Sequence, residues 1–319
     1  LSDMQSSYSA FLGEPQRKAQ MLEPVRARWN ARELVPDTSL NWQWDDRRDS
    51  LGGALAQTRD RAEFEAKTGI PVNLAMLCEA LLAAAVTPPE TADAPVGGTP
   101  SVLAFGMEWL DANRPGADLA MVVPRFAREC LAMMLAPDFA LAPHITPAFR
   151  DVGTAILALW DRELAGETVD RKEWRSVRQA ALDANARETP AFGYPVATLI
   201  EAVAWPVQSV AGEFVGQFAY FLVSWLMYLD RAHMTDAEWR DREHMLIGWR
   251  AMMTAPRDDS GAMTIDPLDD LPESQRVLSP EHMMATMERT AAVRAAAQES
   301  KDAILRDLMD RLLTLIRAA

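Results

Sequence analysis

Cysteine is scarce in this sequence of 319 residues, which contains two, Cys78 and Cys130. Each lies in an apolar, helix-like pattern, LAMLCEALL around the first and FARECLAMML around the second. Secreted domains that depend on disulfides carry far more cysteine. We therefore expect two buried thiols, which behave as small apolar groups, in a cytoplasmic protein.

Strand signals are nearly absent as well, because Val, Ile and Thr seldom alternate with polar residues. Helix formers dominate, alanine-rich runs recur, and a hydrophobic content of 49% is ordinary for a globular protein. The sequence therefore predicts an all-α protein, either a multi-helix bundle or an irregular helical array, with about ten to twelve helices.

Catalytic signatures are also missing: the sequence has no Gly-x-Ser-x-Gly, Walker A, Gly-x-Gly-x-x-Gly or paired Cys-x-x-Cys motif. We therefore expect a non-catalytic protein without a cofactor. The alternative is a helical enzyme with a carboxylate or histidine site near residues 201–244. Glu201 and Glu213 lie there in otherwise apolar helices, and a buried carboxylate has a raised pKa that suits a general acid or base. The other interpretation places each glutamate at a helix end or beside an arginine.

Histidine could contribute a metal site in the same region. Asp230 and His233 are three residues apart, as are Asp241 and His244, so each pair shares one helix face. A predicted helix start at Thr235 separates the two pairs. We therefore expect no metal site and interpret both as surface pairs, with a site formed by these four residues as the alternative.

Basic residues are outnumbered, 32 to 46, which leaves a net charge of −14. Nucleic acid and anionic membranes would be repelled, whereas a basic protein would be attracted. Acidity that only keeps the protein soluble is the other interpretation. Residues 255–279 contain six acids and no base between Arg257 and Arg276, and a loop of that length is either functional or mobile. We expect these acids to bind the partner: Asp258, Asp259, Asp266, Asp269, Asp270 and Glu273.

The longest stretch without charge is 214–229, FVGQFAYFLVSWLMYL. It is shorter than the roughly 20 residues that a membrane-spanning helix needs. We expect it to be the most buried helix of the protein, with neighbours on all sides. The Pro- and Gly-rich segment 87–100 predicts a boundary between an N-terminal helical subdomain, 1–90, and a main domain, 100–319, built around this helix. One continuous domain is the alternative.

Two segments resemble each other and predict repeated helical hairpins, with chance among ten tryptophans as the alternative. Residues 156–175 and 221–240 each end in EWR, and both contain tryptophans fourteen residues apart. At the C-terminus, leucines at 3-4-3 spacing predict an apolar helix face that packs on the body of the protein or on a second copy as a homodimer. These leucines are Leu305, Leu308, Leu312 and Leu315.

Three segments resemble a helical group of immunity proteins from bacterial toxin–immunity systems. They are FEAKTGIPVNLAMLCEAL at 64–81, GADLAMVVPRF at 116–126 and ALWDRELAGETVDRKEWRSVRQAALDA at 158–184. The resemblance spans roughly residues 60–190 and consists of packing and turn patterns. It implies an all-α protein that binds and blocks a cognate toxin, and it carries over no catalytic residues.

Overall fold

A computed structural model describes residues 9–36, 50–86, 95–185, 192–254 and 280–319 of the chain. These residues form thirteen α-helices joined by loops and short 3₁₀ turns, and they contain no β-strand. The all-α prediction is therefore confirmed. The helices are α1 (Pro15–Asn30), α2 (Leu51–Ala56), α3 (Arg61–Thr68), α4 (Val72–Ala85), α5 (Pro100–Ala112), α6 (Val122–Leu135), α7 (Pro147–Leu164), α8 (Arg171–Asn185), α9 (Gly193–Ala202), α10 (Val210–Tyr228), α11 (Asp236–Thr254), α12 (Pro280–Ala296) and α13 (Gln298–Ala318).

Helix α4 is the centre of the fold. Every residue from Leu74 to Leu82 is buried, and the helix touches α2, α3, α5, α6, α10 and α13. Cys78 is fully buried here, and Cys130 is buried on α6. Burial raises the pKa of both thiols, so they stay protonated. The prediction of two buried, unpaired thiols is confirmed.

Helix α10 contains the apolar stretch 214–229 up to Tyr228, but it is not the most buried helix. Its inner face packs on α4, α6 and α9, with Phe214 and Phe218 edge-to-face against Phe126. Its outer face is open to solvent: Gly216 is exposed and Val223 is 50% exposed. The expectation of neighbours on all sides was wrong, because hydropathy alone cannot distinguish a helix enclosed on every side from one that packs on one side.

The helix is also longer than the stretch without charge. It spans 19 residues and continues into a 3₁₀ turn, Leu229–His233. In the part of the chain that the structure describes, Val210–His233 is long and apolar enough to cross a membrane by length and composition, and half of its most apolar window is buried in the protein.

Glycine, proline and capping residues in the sequence mark several helix ends. Gly69 closes α3 in the left-handed conformation, with φ of +63°. The Thr146 hydroxyl accepts a hydrogen bond from the Phe149 amide at the start of α7, and Pro147 is its first residue. Pro124 falls in the first turn of α6, which begins at Val122, and proline is tolerated there because its missing N–H would have no partner within the helix.

Helix α2 was not predicted, because the pair Gly52–Gly53 is typical of a loop. All six of its residues are buried. The Gly53 amide donates to the Ser50 hydroxyl, and the Gly52 amide donates to Glu79 Oε1 on α4 at 2.9 Å. The core therefore supplies the hydrogen bond that fixes this short helix.

The apolar face of α13 packs on the chain itself. Leu305, Leu308 and Leu312 are buried and Leu315 is partly buried, where α13 meets α4, α5 and α6. The prediction that this face packs on the body is confirmed. A homodimer through the same leucines stays a prediction, and its surface is already filled by these three helices.

Buried apolar residues form one cluster that extends from Ala10 to Ile316. It draws on both sides of the segment 87–100, since α4 packs on α10 across the predicted boundary. The division of the chain there stays a prediction.

Both predicted hairpins consist of two helices joined by a turn, α7–α8 in the first and α10–α11 in the second. All four tryptophans are buried: Trp160, Trp174, Trp225 and Trp239. Their contacts differ, however. The Trp174 indole donates a hydrogen bond to Glu163, whereas Trp239 stacks on Phe192. The repeat of a helical hairpin therefore stays a prediction, and the tryptophans of the two segments pack differently.

Two glycines offer a matched test of the packing. Gly106 of α5 and Gly216 of α10 are each the seventh residue of their helix. A Cβ at Gly106 would lie 2.4 Å from the Trp29 ring, whereas a Cβ at Gly216 would meet nothing within 4 Å. We predict that Gly106→Ala lowers the free energy of unfolding by about 1–3 kcal/mol through overpacking.

Gly216→Ala should instead raise the free energy of unfolding by up to about 1 kcal/mol, because alanine favours the helix. Urea denaturation of both variants checks the pair. Equal stability of the two would contradict the packing of Trp29 on α5.

Candidate functional site

The acidic residues expected to bind a partner lie outside the described residues. These are Asp258, Asp259, Asp266, Asp269, Asp270 and Glu273, all within 255–279. Their role stays a prediction.

The structure places Glu201 and Glu213 at helix ends. Glu201 is next to the last residue of α9, half-buried, and accepts a hydrogen bond from the Asn185 side chain. Glu213 is exposed in the first turn of α10, where the helix dipole favours a carboxylate. Neither side chain has the burial that the enzyme interpretation required.

The residues of the alternative metal site do not converge. Asp230 is fully buried, whereas His233 is exposed. Among the described residues, no group of three or more His, Cys, Asp or Glu side chains is arranged to hold a metal ion. Instead, the Asp230 carboxylate is engaged by two cations.

Asp230 forms a buried ion cluster that joins four elements. Its Oδ2 accepts a hydrogen bond from Arg242 of α11, and the Lys301 ammonium of α13 lies 2.7 Å from Oδ1. Arg242 also reaches the Thr290 hydroxyl of α12 at 3.5 Å. A buried carboxylate needs such partners, because an isolated charge in the interior is strongly unfavourable. The cluster therefore fixes α11 and α12 to the turn after α10.

A group of aromatic rings supports the same junction. Phe192 stacks on Trp239 with centroids 4.6 Å apart, and Tyr228 lies edge-on to both rings. The His144 imidazole packs against Phe192 and Tyr228, and burial lowers the pKa of His144. His144 therefore serves as a packing residue in this group of rings.

One cleft of the described residues lies between α1 and α5. It has a volume of about 620 Å³. Its charged groups already hold the two helices together. Lys18 donates to the carbonyl oxygens of Asp111 and Asn113 at 2.6 and 2.8 Å, and Arg26 pairs with the Asp111 carboxylate at 2.6 Å.

The second cleft, here called the α7–α8 cleft, has a volume of about 500 Å³. It lies where the start of α6, the end of α7 and the loop before α10 meet. Its lining residues are Met121, Arg125, Glu163, Leu164, Gly166, Glu167, Thr168, Val169, Pro206, Val207 and Gln208.

Glu163 is held in this cleft by two neutral donors. The Trp174 indole donates to Oε1 at 2.8 Å, and the Val207 amide donates to Oε2 at 2.7 Å. These bonds join α7 to α8 and to the loop between α9 and α10. A carboxylate has about four acceptor sites, so two remain. Within the described residues, no cation forms an ion pair with Glu163.

The charged residues that line the cleft are Glu163, Glu167 and Arg125. Glu167 is paired with Arg162, which also donates to Glu173 at 2.6 Å and lowers the pKa of Glu173. Arg125 is exposed at the start of α6. Two carboxylates and one guanidinium group therefore line the cleft, which suits a cationic group better than an anion.

Sequence reasoning missed Glu163, because its two partners lie 11 and 44 positions away along the chain. The sequence does, however, single out the segment that contains Glu163. Two segments that resemble immunity proteins, 116–126 and 158–184, supply most of the lining of the cleft. No protein family, curated protein or solved structure matches the chain. The resemblance therefore remains an expectation.

Replacement of Asp230 tests the buried ion cluster. Asp230→Asn leaves Arg242 and Lys301 without a buried counter-charge, so we predict a loss of about 3–5 kcal/mol in the free energy of unfolding. The matched control is Asp236→Asn, since Asp236 pairs with Arg231 but is 82% exposed. That change should cost less than about 1 kcal/mol. Urea denaturation compares the two, and a similar small loss in both would refute the structural role of the cluster.

The contact between α11 and α12 can be followed through Glu238. The hydrogen bond from Arg289 of α12, together with bonds from Thr235, lowers the pKa of Glu238 to about 2. This lowered pKa stabilises the fold above the ordinary carboxyl pKa of about 4.3, and the contribution is lost as the pH falls toward 2. We predict that Arg289→Ala raises the pKa of Glu238, as measured by an NMR pH titration.

The control for this titration is Arg306→Ala, because the Arg306 side chain bonds the carbonyl oxygen of its own helix at Asp302. It should leave the pKa of Glu238 unchanged. An unchanged pKa in the Arg289 variant would mean that α12 does not dock on α11 in solution.

Proposed function

We propose that this chain is a non-catalytic, cytoplasmic binding protein of the immunity type, which binds a basic toxin protein and neutralises it. The observation that carries the proposal is the placement of its excess charge. The net charge is −14, and in the described part of the chain the buried acids are Glu79 and Asp230. The other described acids therefore reach the surface, where a basic partner meets them.

Pairing within the chain leaves the excess negative charge in place, because each ion pair takes up one base together with one acid. Six exposed or half-exposed arginines each form an ion pair with an acid of the same chain: Arg26, Arg128, Arg162, Arg231, Arg289 and Arg311. Since acids exceed bases, the remaining carboxylates set the field around the protein. Such a field can raise association rates with an oppositely charged partner by about 10–1000-fold, and salt suppresses the effect.

Affinity capture followed by mass spectrometry tests the proposal. The full-length protein is used as bait at low and at high salt, and the captured partner is then co-expressed with it. We predict one stoichiometric basic partner, less of it at high salt, and rescue of growth when both are expressed. A partner that is not basic, or toxicity that persists on co-expression, would refute the immunity function.

A pair of charge variants locates the attraction. The first replaces the six acids of 255–279 named above with Asn or Gln. The control replaces six exposed acids elsewhere in the same way: Glu23, Asp138, Asp151, Glu288, Glu299 and Asp310. Each set changes the net charge from −14 to −8, by removal of six negative charges. We expect the first set to weaken capture more than the control, and equal loss would assign the attraction to net charge alone.

A further inference from the structure

We propose that the α7–α8 cleft is the pocket that receives an arginine side chain of the basic partner, with Glu163 as the residue that binds its guanidinium group. This proposal rests on the proposed function, since it names the contact by which a basic toxin would be recognised. The residues that line this cleft are different from the acids of the segment 255–279.

The negative charge of Glu163 is not cancelled by its hydrogen-bond donors. Its two hydrogen bonds come from uncharged donors, an indole N–H and a backbone amide, so neither cancels its negative charge. By contrast, Glu167 and Glu173 both form ion pairs with one cation, Arg162. A half-buried carboxylate with free acceptor sites is the group that a guanidinium binds best, through paired N–H···O bonds.

The side chain of Glu163 is held in a fixed position by both of its oxygens. The Trp174 indole anchors one oxygen from α8, and the Val207 amide anchors the other from the loop before α10. Both Trp174 and Val207 are buried and cannot move away easily. A side chain that is already fixed loses little conformational entropy when it binds, which favours affinity.

The lining and the volume of the cleft suit an arginine side chain. Apolar side chains line it beside Glu163, among them Met121, Leu164 and Val169. The methylene stem of an arginine packs well on such a wall while its charged end reaches a carboxylate. The volume of about 500 Å³ lies within the range of small ligand pockets, roughly 300–1000 Å³. It can therefore hold a single side chain with room for water.

Replacing Arg125 distinguishes a binding role of Glu163 from a purely structural role. It also lines the cleft, where it is exposed at the start of α6. Its positive charge repels an entering guanidinium. Removing it by Arg125→Gln should therefore strengthen arginine binding several-fold, although Arg125 makes no contact needed for Glu163 to keep its position.

The probe is N-acetyl-arginine methylamide, titrated into the full-length protein and followed by NMR at the Trp174 indole N–H, which reports directly on Glu163. Trp174→Phe assigns the signal. We expect a saturable shift with this probe and none with N-acetyl-norleucine methylamide, which has the stem without the charge. Glu163→Gln should weaken binding about tenfold or more, as loss of a charge-assisted pair does.

A second variant leaves Glu163 and its bonds intact. Thr168 is an exposed residue of the turn that lines the cleft, and Thr168→Arg supplies an internal guanidinium that competes with the probe. Thr168→Gln is the matched neutral control. We expect the arginine variant to lose probe binding and the glutamine variant to keep it. Absence of a shift in the unmodified protein, or equal binding by the two Thr168 variants, would overturn the proposal.

Partner capture separates failure of this pocket from failure of the proposed function. If the unmodified protein and both Thr168 variants capture the same basic partner equally, the pocket is wrong and the function stands. If none of them captures a basic partner, the function fails, and the probe titration alone decides whether the cleft binds a guanidinium.

Discussion

Burial of α4 on every side is the constraint on which the rest of the structure depends. Nine successive residues of this helix, Leu74–Leu82, are buried, and each large apolar side chain contributes about 1.5–3 kcal/mol when removed from water. The helices around α4 must therefore present apolar faces to it, as α10 and α13 do. The same burial requires Glu79 to be hydrogen-bonded, and the Gly52 amide meets this need. Packing and polar satisfaction together thus place α2, the shortest helix.

Three carboxylates of the described residues, Glu79, Asp230 and Glu163, differ in how their charge is met. Glu79 lies in the core beside the Gly52 amide. Asp230 is fully buried between two cations and holds α11 and α12 in place. Glu163 is half-buried and has neutral donors instead. Its side chain lines a cleft at the meeting point of α6, α7 and the loop before α10, and we propose that it binds a cation from another molecule there.

Much of the fold could be predicted from local signals, whereas the site could not. Glycine, proline and capping residues mark helix ends at Gly69 and Thr146, because these residues act on the backbone next to them. Hydropathy did not reveal that α10 exposes one face. The sequence also did not favour a helix at Gly52–Gly53, because the hydrogen bond that stabilises it comes from Glu79 on α4. Glu163 depends on donors that only the folded chain brings together, so no spacing rule could identify it. The segment containing it was noticeable for its tryptophans and turn pattern alone.

The central claim is that this acidic helical protein binds a basic partner at the α7–α8 cleft. Hydrogen–deuterium exchange of the protein, alone and saturated with its captured partner, tests this most directly. The account predicts slower exchange in the complex at residues 163–169 and 206–208, which line the cleft, and no change at the groove between α1 and α5. Protection confined to other surfaces, with the cleft exchanging as fast as in the free protein, would contradict it.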